Sequence, residues 1–317
     1  MKLLITIQVH NGGDYWRECW ESVMRNQDLF DQIFVSISKS PKLEEDIALI
    51  RDCKLEKLHW TRQDADLSAA EHGRRFFRWV GSFQPEGHVF ILCHDDILLR
   101  DGLLKLKELD LKEDEAAFGP FHFFFQEGSR REMTVHEFHR DDGKPVDKDM
   151  FIFLQDQQQF TYNVSGLVLP AKLYWEYPQP FHMLRYGCFA ECSCMVHPMI
   201  RRIWQTEIPS VKIRWHAASE GALMNSNDMQ HDSMAYHLMA AAAARDPELK
   251  KFQTVSVLYL IRMNLFRGIA YFLKLQFTLT KLKFYHAECW NIYGYMVRIV
   301  FTKLINLLKR ILHAGVK

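Results

Sequence analysis

The sequence predicts an α/β protein with a mainly parallel central sheet flanked by helices, followed by a helical C-terminal extension. Two observations carry this. Over the first 110 residues, short apolar runs that read as strands alternate with segments of helical period, and strands separated by helices imply βαβ units and parallel pairing. One of those runs, FILC, ends at Cys93 and gives way abruptly to His94-Asp95-Asp96. In open sheets of this kind ligands bind beyond the carboxyl ends of the strands.

Residues 3–9 read as the first strand and 14–26 as a helix, with Tyr15, Cys19 and Val23 inward and Trp16 and Trp20 beside them. Residues 32–37 are a strand, and 42–52 a helix that Pro41 can start at its first turn. A short strand near 55–60 follows. A helix over 67–83 places Ala69, Ala70, Gly73, Phe76, Phe77, Val80 and Phe83 on one face. Residues 88–93 are the next strand, and 102–110 a helix that Asp101 can cap. The middle is less regular. Residues 118–126 read as a strand, 127–149 as a long polar loop or lid, and 163–170 as a strand with Pro170 opening a short helix. Residues 184–205 read as a helix broken near Pro198, 211–216 as a strand and 228–245 as a helix. Two or three helices rich in Leu, Ile, Phe, Lys and Arg complete the chain.

With 317 residues, 48% hydrophobic and 25% charged, the chain can bury a sizeable core and reads as one large domain, residues 1–250, with an appendage, 251–317. The net charge of +1 hides an asymmetry. From Phe252 onward ten Lys/Arg face one acid, Glu288, about +9, which leaves 30 basic and 38 acidic residues, about −8, for the body. An acidic body with a basic, apolar tail argues against nucleic acid as a partner. Seven scattered cysteines give no paired framework, so a reducing compartment is the simpler expectation. The opening MKLLITIQVH is broken by Gln8 and His10 and reads as a strand, not a signal peptide. No apolar run approaches the roughly 18 residues that span a bilayer. The expected location is cytoplasmic, with the tail as a candidate peripheral attachment to the inner face of the membrane.

Two adjacent carboxylates at a strand end suit a hard divalent cation, Mg²⁺ or Mn²⁺, which takes oxygen ligands and often shares them with substrate phosphates. A solvated turn in which one Asp caps the next segment is the plainer alternative. The surrounding segments weigh against it. The run Q-V-H-N-G-G-D-Y-W-R-E-C-W-E-S-V-M-R-N-Q (8–27), then LSAAEHG (67–73), FILCHDDILLRDGLLKL (90–106), NVSGLVLPAKLYWE (163–176) and IRWHAAS (213–219) occur in this order. As an ordered set they resemble the family 2 glycosyltransferases of GT-A fold, bacterial polysaccharide and O-antigen enzymes among them. Asn11, Gly12, Tyr15, Glu18, Cys19, Glu21, Ser22, Val23 and Gln27 fall in register with that family's first turn and helix. The resemblance covers residues 1 to about 230.

The resemblance implies metal-dependent, inverting transfer from a nucleotide-sugar donor to a saccharide acceptor, free or linked to polyprenyl diphosphate, in surface polysaccharide biosynthesis. Asp95 matches the metal ligand, with Asp96 beside it. Donor contacts fall on His10, Asn11, Ser38, Asp66, Ser68, His94, Asp95 and His216. Glu191, the only acid in its window, matches the base that takes the acceptor's proton; a solvated helix residue is its alternative. His216 has three readings: strand-end packing, a hydrogen bond to the diphosphate, or a further metal ligand.

The chain also departs from the family's pattern. Cys93 stands where the first Asp of the metal motif is usual, Ile37-Ser38-Lys39-Ser40 replaces the strand-two acids, and Glu71 replaces an Arg. These departures support a rival reading, a catalytically degenerate domain acting as a membrane-associated scaffold.

Other signals carry less. Cys188, Cys192, Cys194 and His197 lack the usual zinc-knuckle spacing. In RRFFRWVGSF (74–83) the arginines lie opposite the apolar stripe, as a solvated face would place them. No phosphate-binding, dinucleotide or hydrolase motif occurs. The tail's apolar stripes flanked by Lys/Arg suit either an anionic membrane surface or packing on protein.

Overall fold

Strand β1 (Leu3–Val9) is buried along almost its whole length, because it lies in the middle of a sheet covered on both sides. The computed structural model describes residues 1–125, 144–156, 163–176, 193–215, 226–263 and 265–281, with Ile292, Gly294, Val297, Arg298 and Thr302. The chain divides into two compact units, residues 1–232 and 233–317.

In the first unit β1 pairs in parallel with β2 (Gln32–Ser38) on one side and β4 (His88–Cys93) on the other, and β3 (Leu58–Gln63) extends β2. All three connections between these strands are helical: α1 (Asp14–Arg25), α2 (Leu43–Arg51) and α3 (Ala69–Gly81). Leu3, Ile5, Ile7 and Val9 share a core with Trp16, Cys19 and Val23 of α1 and Ile47 and Ile50 of α2. Leu103 and Leu106 of α4 (Arg100–Glu108) join them. Each such large side chain contributes about 1.5–3 kcal/mol when fully buried. The alternate residues point the other way: Ser36 reaches His72 of α3, and Thr6 reaches Tyr174, whose ring stacks on Phe77 at 3.9 Å.

Beyond β4 the sheet becomes mixed, running β9 (Val168–Pro170), β6 (Glu115–Phe118), β10 (Arg202–Gln205) and β8 (Val146–Asp147). A second, three-stranded sheet joins β5 (Ile97–Leu98), β11 (Val211–Trp215) and β7 (Phe121–Phe125). The segment leading into β11 packs on α4 because Gly102 lets the chain at Pro209 approach: a Cβ there would lie 2.1 Å from the Pro209 carbonyl oxygen. Leu99 N donates to Ser210 O beside it at 2.9 Å.

The α/β architecture with its mainly parallel central sheet is as expected, and several boundaries differ. The capping residue of α4 is Leu99, and Asp101 lies inside the first turn. The single strand expected over 118–126 is divided, because Gly119-Pro120 breaks the run and lets β6, ending at Phe118, and β7 enter different sheets. Part of the expected polar loop forms β8 and α5 (Lys148–Asp156). Of the expected strand 163–170 only β9 is extended, since Gly166 turns the chain at φ 95°. The helix expected to run to 205 gives way to β10, where Ile203 and Trp204 pair in parallel with Ala116 and Ala117. Phe83 lies past the end of α3 and is 43% exposed.

In the second unit, helices Pro247–Met263 and Leu265–Lys281 pack together, with Gly268 against the Ile261 backbone. Among the described residues no helix is long and apolar enough to cross a membrane.

Candidate active site

The site is built at the carboxyl ends of β1, β2 and β4. The β1–α1 turn carries two residues in the left-handed region, Asn11 and Gly13, both at φ 54°. It is held from α2 by the buried carboxylate of Asp46, which accepts from Gly12 N at 3.0 Å and Gly13 N at 2.7 Å. Trp16 Nε1 donates to the Asp46 carbonyl at 3.1 Å. The turn leaves His10 and Asn11 exposed. His10 Nδ1 lies 2.9 Å from Ser38 Oγ, so these two expected donor contacts meet.

Beneath them His72 Nε2 lies 2.8 Å from Ser36 Oγ. Burial, reinforced by His10 and His94, lowers the His72 pKa from 6.5 to about 3, so the ring is neutral at ordinary pH. Burial, then His94, also lowers the pKa of His10, while Asp66 and Asp46 oppose the shift. His10, His72, His94 and Asp66 thus form one electrostatic neighbourhood. Ser68 is the N-cap of α3 and accepts from Glu71 N at 3.3 Å. The Glu71 carboxylate is engaged by Arg74 and Arg75 of its own helix, which holds its pKa below the usual range.

After β4 the chain turns sharply through Cys93, His94, Asp95 and Asp96. One potential ligand atom from each of Cys93, Asp95 and Asp96 lies within 4.8 Å of the others. Cys93, His94 and Asp95 are half-buried, whereas Asp96 is 2% exposed. Both Asp96 oxygens are engaged: Oδ2 accepts from the Ser165 hydroxyl and Oδ1 from Arg214 N at 2.8 Å. Burial, with the neighbouring charge of Asp95, pushes the Asp96 pKa well above the carboxylate range, against the pull of Ser165 and Arg214. Ser165 Oγ also accepts from Cys93 N at 2.8 Å.

Arg214, on β11, ties the turn to α1. Its side chain is 1% exposed, donates through Nε to the Asp95 carbonyl at 2.9 Å, pairs with Glu18, and lies 4.6 Å over the Tyr15 ring. Such a planar, forked cation satisfies several partners at once.

The structure therefore brings together His10, Ser38, His94 and Asp66 on one rim, and Asp95 with Asp96 beside it. Glu191 and His216 lie outside the described residues. Four contributors escape a reading of the sequence: Asp46, His72, Ser165 and Arg214. His72, Ser165 and Arg214 sit inside segments that carried the resemblance, so a signal existed for them. Asp46 looks like a third solvated acid after Glu44 and Glu45, so it does not stand out.

This chain has the GT-A fold, with its mainly parallel eight-stranded sheet and flanking helices. Among solved structures it is similar to S. aureus TarS residues 1–349, with a TM-score of 0.55 and 12% identity over 80% of this chain and 68% of that one. The same protein in complex with UDP-GlcNAc gives 0.55 and 12% over 85% of this chain and 73% of that one. Against another TarS structure the values are 0.51 and 11%, covering 80% of this chain and 42% of that one. No protein-family profile and no curated protein sequence matches the chain.

Proposed function

We propose that the chain is a metal-dependent glycosyltransferase that moves a sugar from a nucleotide-sugar donor to a saccharide acceptor. The observation that carries the proposal is the Cys93–Asp95–Asp96 cluster at the carboxyl end of β4, beside the Asp46-braced turn after β1. That the TarS fragment has been solved with UDP-GlcNAc supports a nucleotide-sugar as the donor class.

The donor set fits a divalent ion: two carboxylates at one strand end suit Mn²⁺ or Mg²⁺. Asp95 would hold the ion, with Asp96 as its fixed neighbour. When bound, the ion offsets charge developing on the departing diphosphate. The protein's own residues do the rest. Asp46 fixes the turn that presents His10 and Asn11. His10 and Ser38, with His94, Asp66 and the Ser68 cap, line the nucleotide side. Ser165 and Arg214 set the angle of the β4–β5 turn. Glu191 is proposed as the base that takes the acceptor hydroxyl's proton as that oxygen attacks the anomeric carbon, giving inversion, and His216 as a further donor contact.

The acceptor we propose is a saccharide, lipid-linked, in surface polysaccharide assembly of the O-antigen kind, with the basic tail holding the enzyme peripherally at an anionic inner leaflet. Exposed Phe252, Val255, Tyr259 and Met263 share one face of helix Pro247–Met263 with Lys251 and Arg262, the composition of an interfacial helix.

Calorimetry of the full chain with a panel of nucleoside diphosphates, with and without Mn²⁺, tests the reading, followed by detection of slow donor hydrolysis without acceptor. Metal-dependent binding of one nucleotide is expected. Absence of binding to any of them would leave the scaffold reading in its place.

A further inference from the structure

We propose that Cys93 is itself a metal ligand, so that the site favours thiophilic divalent ions over Mg²⁺. This rests on the donor-site reading above and deepens it. The Cys93 Sγ belongs to the same cluster as the Asp95 and Asp96 oxygens, with ligand atoms no more than 4.8 Å apart. A tetrahedral ion about 2.3 Å from sulfur and about 2.0–2.2 Å from oxygen separates its ligands by about 3.5 Å. Rotation of the half-buried Cys93 and Asp95 side chains would close the difference.

The surroundings decide which members turn inward. Asp96 is clamped at both oxygens by Ser165 and Arg214, and its side chain is buried. Cys93 and Asp95 are half-buried. The backbone of Cys93 is fixed on both sides: its amide donates to Ser165 Oγ, and its carbonyl accepts from Cys19 Sγ at 3.6 Å. The same Ser165 hydroxyl therefore holds both the Cys93 backbone and the Asp96 carboxylate in one frame.

Ligand chemistry gives the selectivity. Mg²⁺ requires oxygen ligands in near-octahedral array and gains little from sulfur. Zn²⁺ and other borderline ions accept a thiolate beside carboxylates, and Cd²⁺, softer still, reports on it. On coordination the thiol gives up its proton to solvent and the sulfur donates a lone pair to the ion; no electron is transferred.

The full-length protein would be titrated with Cd²⁺ while sulfur-to-metal charge-transfer absorption is followed in the ultraviolet, and with Zn²⁺, Mn²⁺ and Mg²⁺ by calorimetry. Wild type and the control Cys53→Ser are expected to show the absorption and to bind Zn²⁺ at least tenfold more tightly than Mg²⁺. Cys93→Ser is expected to lose both the site's absorption and the preference, and Cys93→Asp to bind Mn²⁺ and Mg²⁺ without the absorption. Absorption undiminished in Cys93→Ser, or an unchanged Zn²⁺/Mg²⁺ ratio, overturns the proposal while leaving the donor-site reading intact. Failure of every ion to bind both wild type and Cys93→Asp overturns the two together. Circular dichroism of each variant separates lost ligation from lost folding.

Discussion

The backbone amide of Arg214 lies 2.8 Å from Asp96 Oδ1, across 118 residues of sequence. With the Arg214 guanidinium on the Asp95 carbonyl and on Glu18, this one residue joins β11, the β4–β5 turn and α1. Arg214→Met keeps the amide contact and removes the cation. It should destabilise the fold by about 2–3 kcal/mol, below the full cost of orphaning a buried ion partner because Glu18 is half exposed. Arg214→Lys should lie between, since a point charge cannot serve both partners. Urea denaturation of the three proteins checks the order.

Ser165 serves two partners with one hydroxyl. Ser165→Ala leaves Cys93 N and an Asp96 oxygen without it, a cost of about 1–3 kcal/mol. Because the turn loses its frame, divalent-ion affinity should fall as well. Thermal unfolding and metal calorimetry on the same samples read the two effects.

Asp46 never meets solvent, yet it should govern the donor side. Asp46→Asn retains one acceptor but sets a donor amide against Gly12 N or Gly13 N. A stability loss of about 1–3 kcal/mol is expected, with nucleotide affinity weakened more than metal affinity. Glu45→Gln, one residue away and on the exposed side of the helix, should change neither.

The pH dependence of stability has a defined sign at His72. Its folded-state pKa of about 3 lies below the unfolded value of 6.5, so the unfolded state binds more protons between them. Its contribution is complete above pH 6.5 and is lost as pH falls toward 3, by about 1.4 kcal/mol per pH unit. The raised pKa of Asp96 works in the opposite sense, its contribution being lost as pH rises. Comparison of wild type with His72→Gln isolates the histidine: the variant should show a shallower acid limb. Identical acid limbs would exclude this account.

The tail gives a test on liposomes. Tyr259→Asp with Phe252→Asp places charge on an exposed face, so folding should be spared while binding to anionic vesicles drops at least tenfold. Equal sedimentation of wild type with anionic and neutral vesicles would argue against an electrostatic contribution.

β1, β2 and β4 were legible because they are apolar runs and α1 and α3 have strong helical period, whereas the mostly polar β3, expected near 55–60, runs Leu58–Gln63. Short strands were not legible. β10 falls within a stretch that reads as helix and becomes a strand between β6 and β8, and β7 separates from β6 at Gly119-Pro120. At the site, the change from Leu92 and Cys93 to Asp95 announces itself in sequence. The half of the Asp96 clamp made by the Arg214 amide does not, since a backbone amide as partner leaves no mark on side-chain identity. Asp46 is hidden for the same reason: its partners are the amides of Gly12 and Gly13.

That clamp also has a consequence in time. The β1–β2 and β2–β3 pairings join strands fewer than 30 residues apart, whereas the Asp96–Arg214 contact closes across 118 residues, and such non-local closures come late and slowly. Refolding from denaturant should therefore recover the burial of Trp16 and Trp20 before it recovers metal binding. In that interval the Asp96 carboxylate stands without its β11 partner, and assembly of the proposed metal site becomes a timer for completion of the fold.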